Sequence, residues 1–204
     1  MASLLRKIFS AFLFLALPLS VYAQPVNDLL HQKNNPVGGN PKGTISVVEF
    51  FDYQCSHCIV MAPVLQSIIK INPDVRVVYK DIPIRGPISE LAARAALAAN
   101  KQGKYATLSH ALLTSDTLLT EESIIDIAKK NGINVKKLQI DMVSKTIHHQ
   151  LDANIELAKQ LKLIGTPAVF IGKTNATTLE ELVFVPGEMS LGELQSTIDK
   201  VRGN

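Results

Sequence analysis

The chain has 204 residues, 47% hydrophobic and 19% charged, enough to bury a core, which excludes an intrinsically disordered polymer and suits one domain or one domain carrying an insertion. Its formal net charge of +3 falls to +1 once Arg6 and Lys7 of a leader are set aside, so there is no electrostatic case for nucleic acid or an anionic membrane as partner. Two cysteines exclude a disulfide-dense miniprotein and a four-cysteine zinc site.

Met1 to Ala23 has the pattern of a secretory signal peptide. Arg6-Lys7 supplies the positive start, and Ile8 to Leu19 is apolar apart from Ser10 and Pro18. Val21-Tyr22-Ala23 places small or aliphatic residues where signal peptidase requires them. As a helix the apolar run rises about 18 Å, short of a bilayer core of about 30 Å. The expectation is a soluble periplasmic protein cleaved near Ala23, in a compartment where an oxidised cysteine pair persists.

Gln24 to Gly43 is rich in Asn, Pro and Gly and reads as a loosely ordered arm, with one apolar patch at Val26, Leu29 and Leu30. From Thr44 the texture changes. Ile45, Val47, Val48, Phe50 and Phe51 suit a strand covered on both faces. Cys55 to Ile71 carries apolar residues at helical spacing, with a kink expected at Pro63, and Val75 to Tyr79 forms a second strand. Strand, helix, strand favours parallel pairing with a crossover helix.

Ser89 to Leu163 differs in kind. It reads as helices over Ser89–Gln102, Lys104–Leu113, Glu121–Asn131, Val135–Met142 and Lys145–Leu163, with Gly132 and Gly165 as stops and Thr120 as a cap that lacks the usual acidic partner three residues on. Strand chemistry resumes at Ala168–Ile171 and Leu182–Val185, and Leu191–Val201 closes as an amphipathic helix. The predicted organisation is a signal peptide 1–23, an arm 24–43, an α/β domain over 44–88 and 164–204, and an all-helical insertion over 89–163.

Cys55-Ser56-His57-Cys58 stands where the first strand meets the helix. Two intervening residues let both sulfurs lie within one helical turn, close enough for a disulfide. The first sulfur then sits at the positive end of the helix, where unpaired N–H groups favour an anion and lower the thiol pKa. Cys58, one turn further in, should be buried and should resolve mixed disulfides formed at Cys55. His57 adds a partly cationic ring beside the sulfurs. A purely structural disulfide closing so small a ring would add little stability. A zinc half-site lacks two further ligands at suitable spacing, and a covalent haem site needs histidine where Ile59 stands. Redox chemistry at Cys55 and Cys58 is the reading the spacing favours, and it requires no metal and no organic cofactor.

Val47 to Cys58 resembles the active-site strand and helix of DsbA-type thiol–disulfide oxidoreductases, and Gly165-Thr166-Pro167 before Ala168-Val169-Phe170 resembles their cis-proline loop. The resemblance runs from about Pro36 to Val201 and implies a thioredoxin-like fold interrupted by a helical insertion. It further implies a cis Pro167, with Thr166 free to pair with an extended substrate. Glu49 would be a buried acid that takes the Cys58 proton, with Lys80 as its partner. Exported proteins with free thiols would be the substrates, and a membrane partner of the DsbB type would reoxidise the enzyme. Ser56-His57 differs from the Pro-His of the best-known DsbA, and Thr166 stands where strongly oxidising members often have valine. The alternative implied is therefore an isomerase or reductase kept reduced by a DsbD-type donor. Only about twenty residues precede the core, which favours a monomer.

Overall fold

The computed structural model describes residues 23–203, so the predicted signal peptide lies outside them except for its last residue. In chain order come α1 (Ala23–His31), β1 (Val37–Gly39), β2 (Ile45–Phe51), α2 (Ser56–Ile71) and β3 (Val75–Asp81). The helical segment follows, with α3 (Pro87–Asn100), α4 (Tyr105–Leu113), α5 (Glu121–Lys130), α6 (Val135–Met142) and α7 (Lys145–Gln160). β4 (Ala168–Lys173), a 3₁₀ turn at Leu179–Glu181, β5 (Val183–Pro186) and α8 (Leu191–Gly203) complete the chain.

The five strands form one sheet in the order β1-β3-β2-β4-β5. β2 and β3 run parallel, as the intervening helix requires, and β4 lies antiparallel on the other side of β2. All seven residues of β2 are buried, and all seven of β3. Alternation then sorts them. Ile45, Val47 and Phe51 join the core shared with α2, α8 and the inserted helices. Val48, Phe50 and Val78 face a smaller core on the opposite side.

That second core corrects the reading of Gln24–Gly43 as a loose arm. α1 places Val26, Leu29 and Leu30 on one face, each 1% exposed or less, against Val48, Phe50 and Val78. Nine residues are too few to hold a helix alone, so its stability comes from this contact. Its last carbonyls, which have no helical partner, are met by two buried cations: Lys80 Nζ donates to Asp28 O at 2.7 Å, and Arg76 Nη2 to Leu30 O at 2.7 Å. β1 then adds an edge strand antiparallel to β3. Gly39, at φ +73°, lies where a Cβ would come within 2.6 Å of the Val75 carbonyl. Leu30→Ala is expected to cost about 2–4 kcal/mol, read as a lower unfolding midpoint in denaturant. An unchanged midpoint would mean that α1 does not contribute to the fold.

The inserted helices pack around α3, whose buried Ala92, Ala93, Ala95, Ala96, Ala98 and Ala99 permit close approach. At the start of α5, Thr120 and Ser123 form a reciprocal capping box, Ser123 N donating to Thr120 Oγ1 at 3.1 Å and Thr120 N to Ser123 Oγ at 2.8 Å. A serine thus does the work usually given to glutamate. α7 ends at Gln160, earlier than expected: the left-handed residue is Lys162 at φ 54°, which turns the chain so that Leu163 N donates to Ala158 O. Gly165 is not the stop.

Candidate active site

The turn between β2 and α2 brings Cys55 to the N-cap of α2, with extended backbone (φ −84°, ψ 116°), and Cys58 three residues along its first turn. Asp52, 1% exposed, organises that turn. Its Oδ1 accepts from Gln54 N at 2.7 Å and Ser89 Oγ at 2.7 Å, its Oδ2 from Arg85 N at 2.9 Å, and its carbonyl from Cys55 N at 3.2 Å. The active-site turn is thereby tied to the start of α3.

Both cysteines are free thiols, 1% and 0% exposed. Their acidities diverge. Burial opposes ionisation of Cys55, but the nearby Thr166 side chain and the Cys58 and His57 groups at the head of α2 outweigh it and hold the thiol below its ordinary value. Burial pushes Cys58 far above the ordinary value, with the charge of Glu49 adding to the effect against a hydrogen bond from Asp52. One sulfur is therefore suited to be nucleophile and leaving group. The other stays protonated until something takes its proton.

The Thr166–Pro167 peptide is cis, and Thr166 O accepts from Cys55 Sγ at 3.2 Å. Pro167 O accepts from Gly187 N at 2.8 Å, anchoring this loop to the segment after β5. Thr166 Oγ1 is buried without a hydrogen-bond partner. Ser56 opens α2 and is exposed. His57 Nδ1 lies 2.9 Å from Glu188 Oε2, an exposed pair that sequence reading missed because the two residues are 131 positions apart.

Glu49, in mid-β2, points to the face shared with α2 and is 2% exposed, its Oε1 without a partner. Burial raises its carboxyl to about 8, with the charges of Asp81 and Cys55 adding to the rise. The expected pairing with Lys80 does not occur. Parallel register sets Glu49 opposite Tyr79, so Lys80 projects from the other face, where Nζ donates to Asp28 O and to Gln32 Oε1 at 2.6 Å and burial pushes it down to about 7. The group near Glu49 is instead Asp81, raised to about 7 by burial against the hydrogen bonds of Tyr53 and Tyr105. The Tyr53 hydroxyl lies 2.8 Å from Asp81 Oδ1 and 3.1 Å from Ser109 Oγ, and Tyr105 donates to Asp81 Oδ2 at 2.9 Å. Asp81 closes β3 right after Lys80, so parity alone, had the register been known, would have singled it out.

A dithiol at a helix N-terminus, facing a cis-proline loop over a buried acid, is the arrangement of thiol–disulfide exchange. The family described as DSBA-like thioredoxin domain matches residues 46–199. The chain belongs to that family. Its fold is thioredoxin-like, α/β with an inserted helical segment, and Cys55 and Cys58 lie within the matched region. A thioredoxin-like oxidoreductase from Silicibacter pomeroyi is 35% identical with a TM-score of 0.79, over 87% of this chain and 98% of that one. The thiol-disulfide exchange protein α-DsbA2 from Wolbachia pipientis is 26% identical with a TM-score of 0.77, over 87% and 91%. The thiol:disulfide interchange protein DsbA of Bordetella parapertussis is 27% identical over 146 residues, 68% of either chain. The chain also matches part of larger proteins. A Na(+)/H(+) antiporter NhaA of Salinispora tropica shares 23% identity over 137 residues, and the chain spans 21% of its length. Among the described residues no helix is long and apolar enough to cross a membrane.

Proposed function

We propose that the protein is an exported dithiol oxidase. A substrate thiolate attacks the Cys55–Cys58 disulfide at Cys55, displacing Cys58. A second substrate thiolate then displaces Cys55, which leaves the substrate as a disulfide and the enzyme as a dithiol. A membrane redox partner of the DsbB type takes up the two electrons and restores the enzyme. The observation that carries this reading is the divergence of the two sulfurs: Cys55 is held towards its thiolate at the head of α2. Stabilising the reduced form makes the disulfide form a stronger oxidant.

Substrate chains with exposed thiols fit the surface beside Cys55. Ile164 is fully exposed and Phe184 47% exposed, and with Pro167 and Pro186 they border a groove of about 120 Å³. An extended peptide there pairs with the backbone at Thr166 and rests apolar side chains on the groove. Export and periplasmic residence rest on the leader pattern of Met1–Ala23.

A second reading, an isomerase or reductase kept reduced by a DsbD-type donor, draws on Thr166, whose carbonyl accepts from the Cys55 sulfur and whose buried hydroxyl has no hydrogen-bond partner. Equilibration with glutathione buffers separates the two. The oxidase reading expects a potential above about −180 mV, together with weak unscrambling of a wrongly paired substrate. A potential near about −270 mV with efficient unscrambling would overturn it.

A further inference from the structure

Glu49 meets two demands that conflict. If it is to exchange a proton with Cys58 it must lie where water is scarce, yet each half-reaction leaves it with one proton too few or too many. In the first half-reaction R–S⁻ attacks Cys55, the Cys55–Cys58 bond breaks, and the Cys58 thiolate takes the Glu49 proton, giving R–S–S–Cys55, Cys58–SH and a Glu49 carboxylate. On reoxidation a Glu49 carboxylate takes the Cys58 proton as Cys58 attacks the mixed disulfide at Cys55, closing the Cys55–Cys58 bond and releasing the bound thiolate. With its carboxyl raised to about 8, Glu49 takes up a proton from solvent between these steps and must return one to solvent before it can act as base on Cys58. The cation expected to assist, Lys80, faces away across the sheet.

Below Glu49 lies a cavity of about 20 Å³, above the roughly 10–15 Å³ that one water molecule needs. Glu49, Tyr79, Ser109, Gln66 and His110 supply its polar lining. Its inner wall is the carboxyl whose Oε1 has no protein partner, and its outer wall is the exposed His110 of α4. The titratable side chains facing it are Glu49 from β2, Tyr79 from β3 and His110 from α4, while α2 contributes Ala62, Leu65 and the uncharged Gln66. Asp81 and Cys55 act on Glu49 electrostatically, and Cys58 senses the Glu49 charge in turn. Tyr79 holds its proton, raised by burial and the Glu49 charge. His110 has no ion-pair partner among the described residues, and imidazole is the side chain that both accepts and releases protons near neutrality.

We propose that His110, on the inserted helical segment, is the proton port of the active site, passing protons between solvent and Glu49 through a water held in this cavity. The proposal rests on the dithiol-exchange reading and gives the insertion a chemical task at the back of the site. His110 touches neither substrate nor sulfur and acts through Glu49.

Single-turnover reoxidation of the reduced full-length protein by a disulfide peptide, followed by quench and mass analysis in dilute buffer, tests it. His110→Ala is expected to slow the Glu49-dependent step at least about tenfold, with the rate restored by free imidazole. Cys55 alkylation against pH should stay unchanged. Ala106→Met, which narrows the cavity from its exposed wall, should slow the same step without imidazole rescue. A His110→Ala protein that is folded and turns over at the parental rate, or one that imidazole accelerates no more than the parent, overturns the proposal and leaves the dithiol reading standing. If the parent forms no mixed disulfide at Cys55, it is the dithiol reading that fails.

Discussion

Replacing Cys58 with alanine is expected to leave thiol partners attached to Cys55 and to lower turnover by about 10³-fold or more. The magnitude follows from what the second sulfur supplies. Cys58 sits on the same helical turn as Cys55, so its attack on a mixed disulfide is intramolecular and corresponds to an effective thiol concentration far above that of any external thiol. Without it, release waits for a thiol from solution. Mass analysis of Cys58→Ala isolated from an oxidising compartment should show Cys55 adducts, and Cys55→Ala should show none. If the pair were only a structural disulfide, both variants would lose some stability and neither would carry adducts.

Glu49→Gln is expected to flatten the dependence of stability on pH. The carboxyl titrates near 4.5 in the unfolded chain and at about 8 in the folded one. Between those values the folded protein holds a proton that the unfolded chain has released. Raising the pH through that window therefore favours unfolding, and the stability present below pH 4.5 is lost by about pH 8. From pH 5 to pH 7 this amounts to about 2–3 kcal/mol, so the variant should gain that much on the parent over the interval. Asp81, raised to about 7, adds a slope of the same sign to both proteins. Lys80, lowered to about 7 from 10.5, acts above pH 7 with the opposite sign and leaves the interval undisturbed. Denaturant midpoints at the two pH values supply the comparison, and parallel slopes would show that Glu49 is ionised throughout.

The core elements were legible because dense apolar runs survive any choice of register. β2 and β3 are buried on both faces, and the 3.6-residue pattern of α2 continues through Pro63. α1 was not, since three apolar residues in nine mean little until the rear of the sheet is there to receive them. The Glu49–Lys80 expectation failed for the same reason. Both residues lie in buried strands, but pairing Glu49 with Tyr79 puts the lysine on the opposite face, and register is a property of two strands together. The dithiol itself was readable from local spacing. Asp52 was within sight three positions before Cys55, whereas Glu188, Asp81 and Ser109 reach the site only through folding.

The most direct test concerns the ionisation of Cys55 at the head of α2. Iodoacetamide alkylation of the reduced protein across pH, or the ultraviolet absorbance of its thiolate, should show one sulfur ionising below a free cysteine and the other not ionising below pH 10. The Cys58→Ala variant should retain the first transition. A Cys55 that titrates at or above the value of cysteine in water would contradict the account.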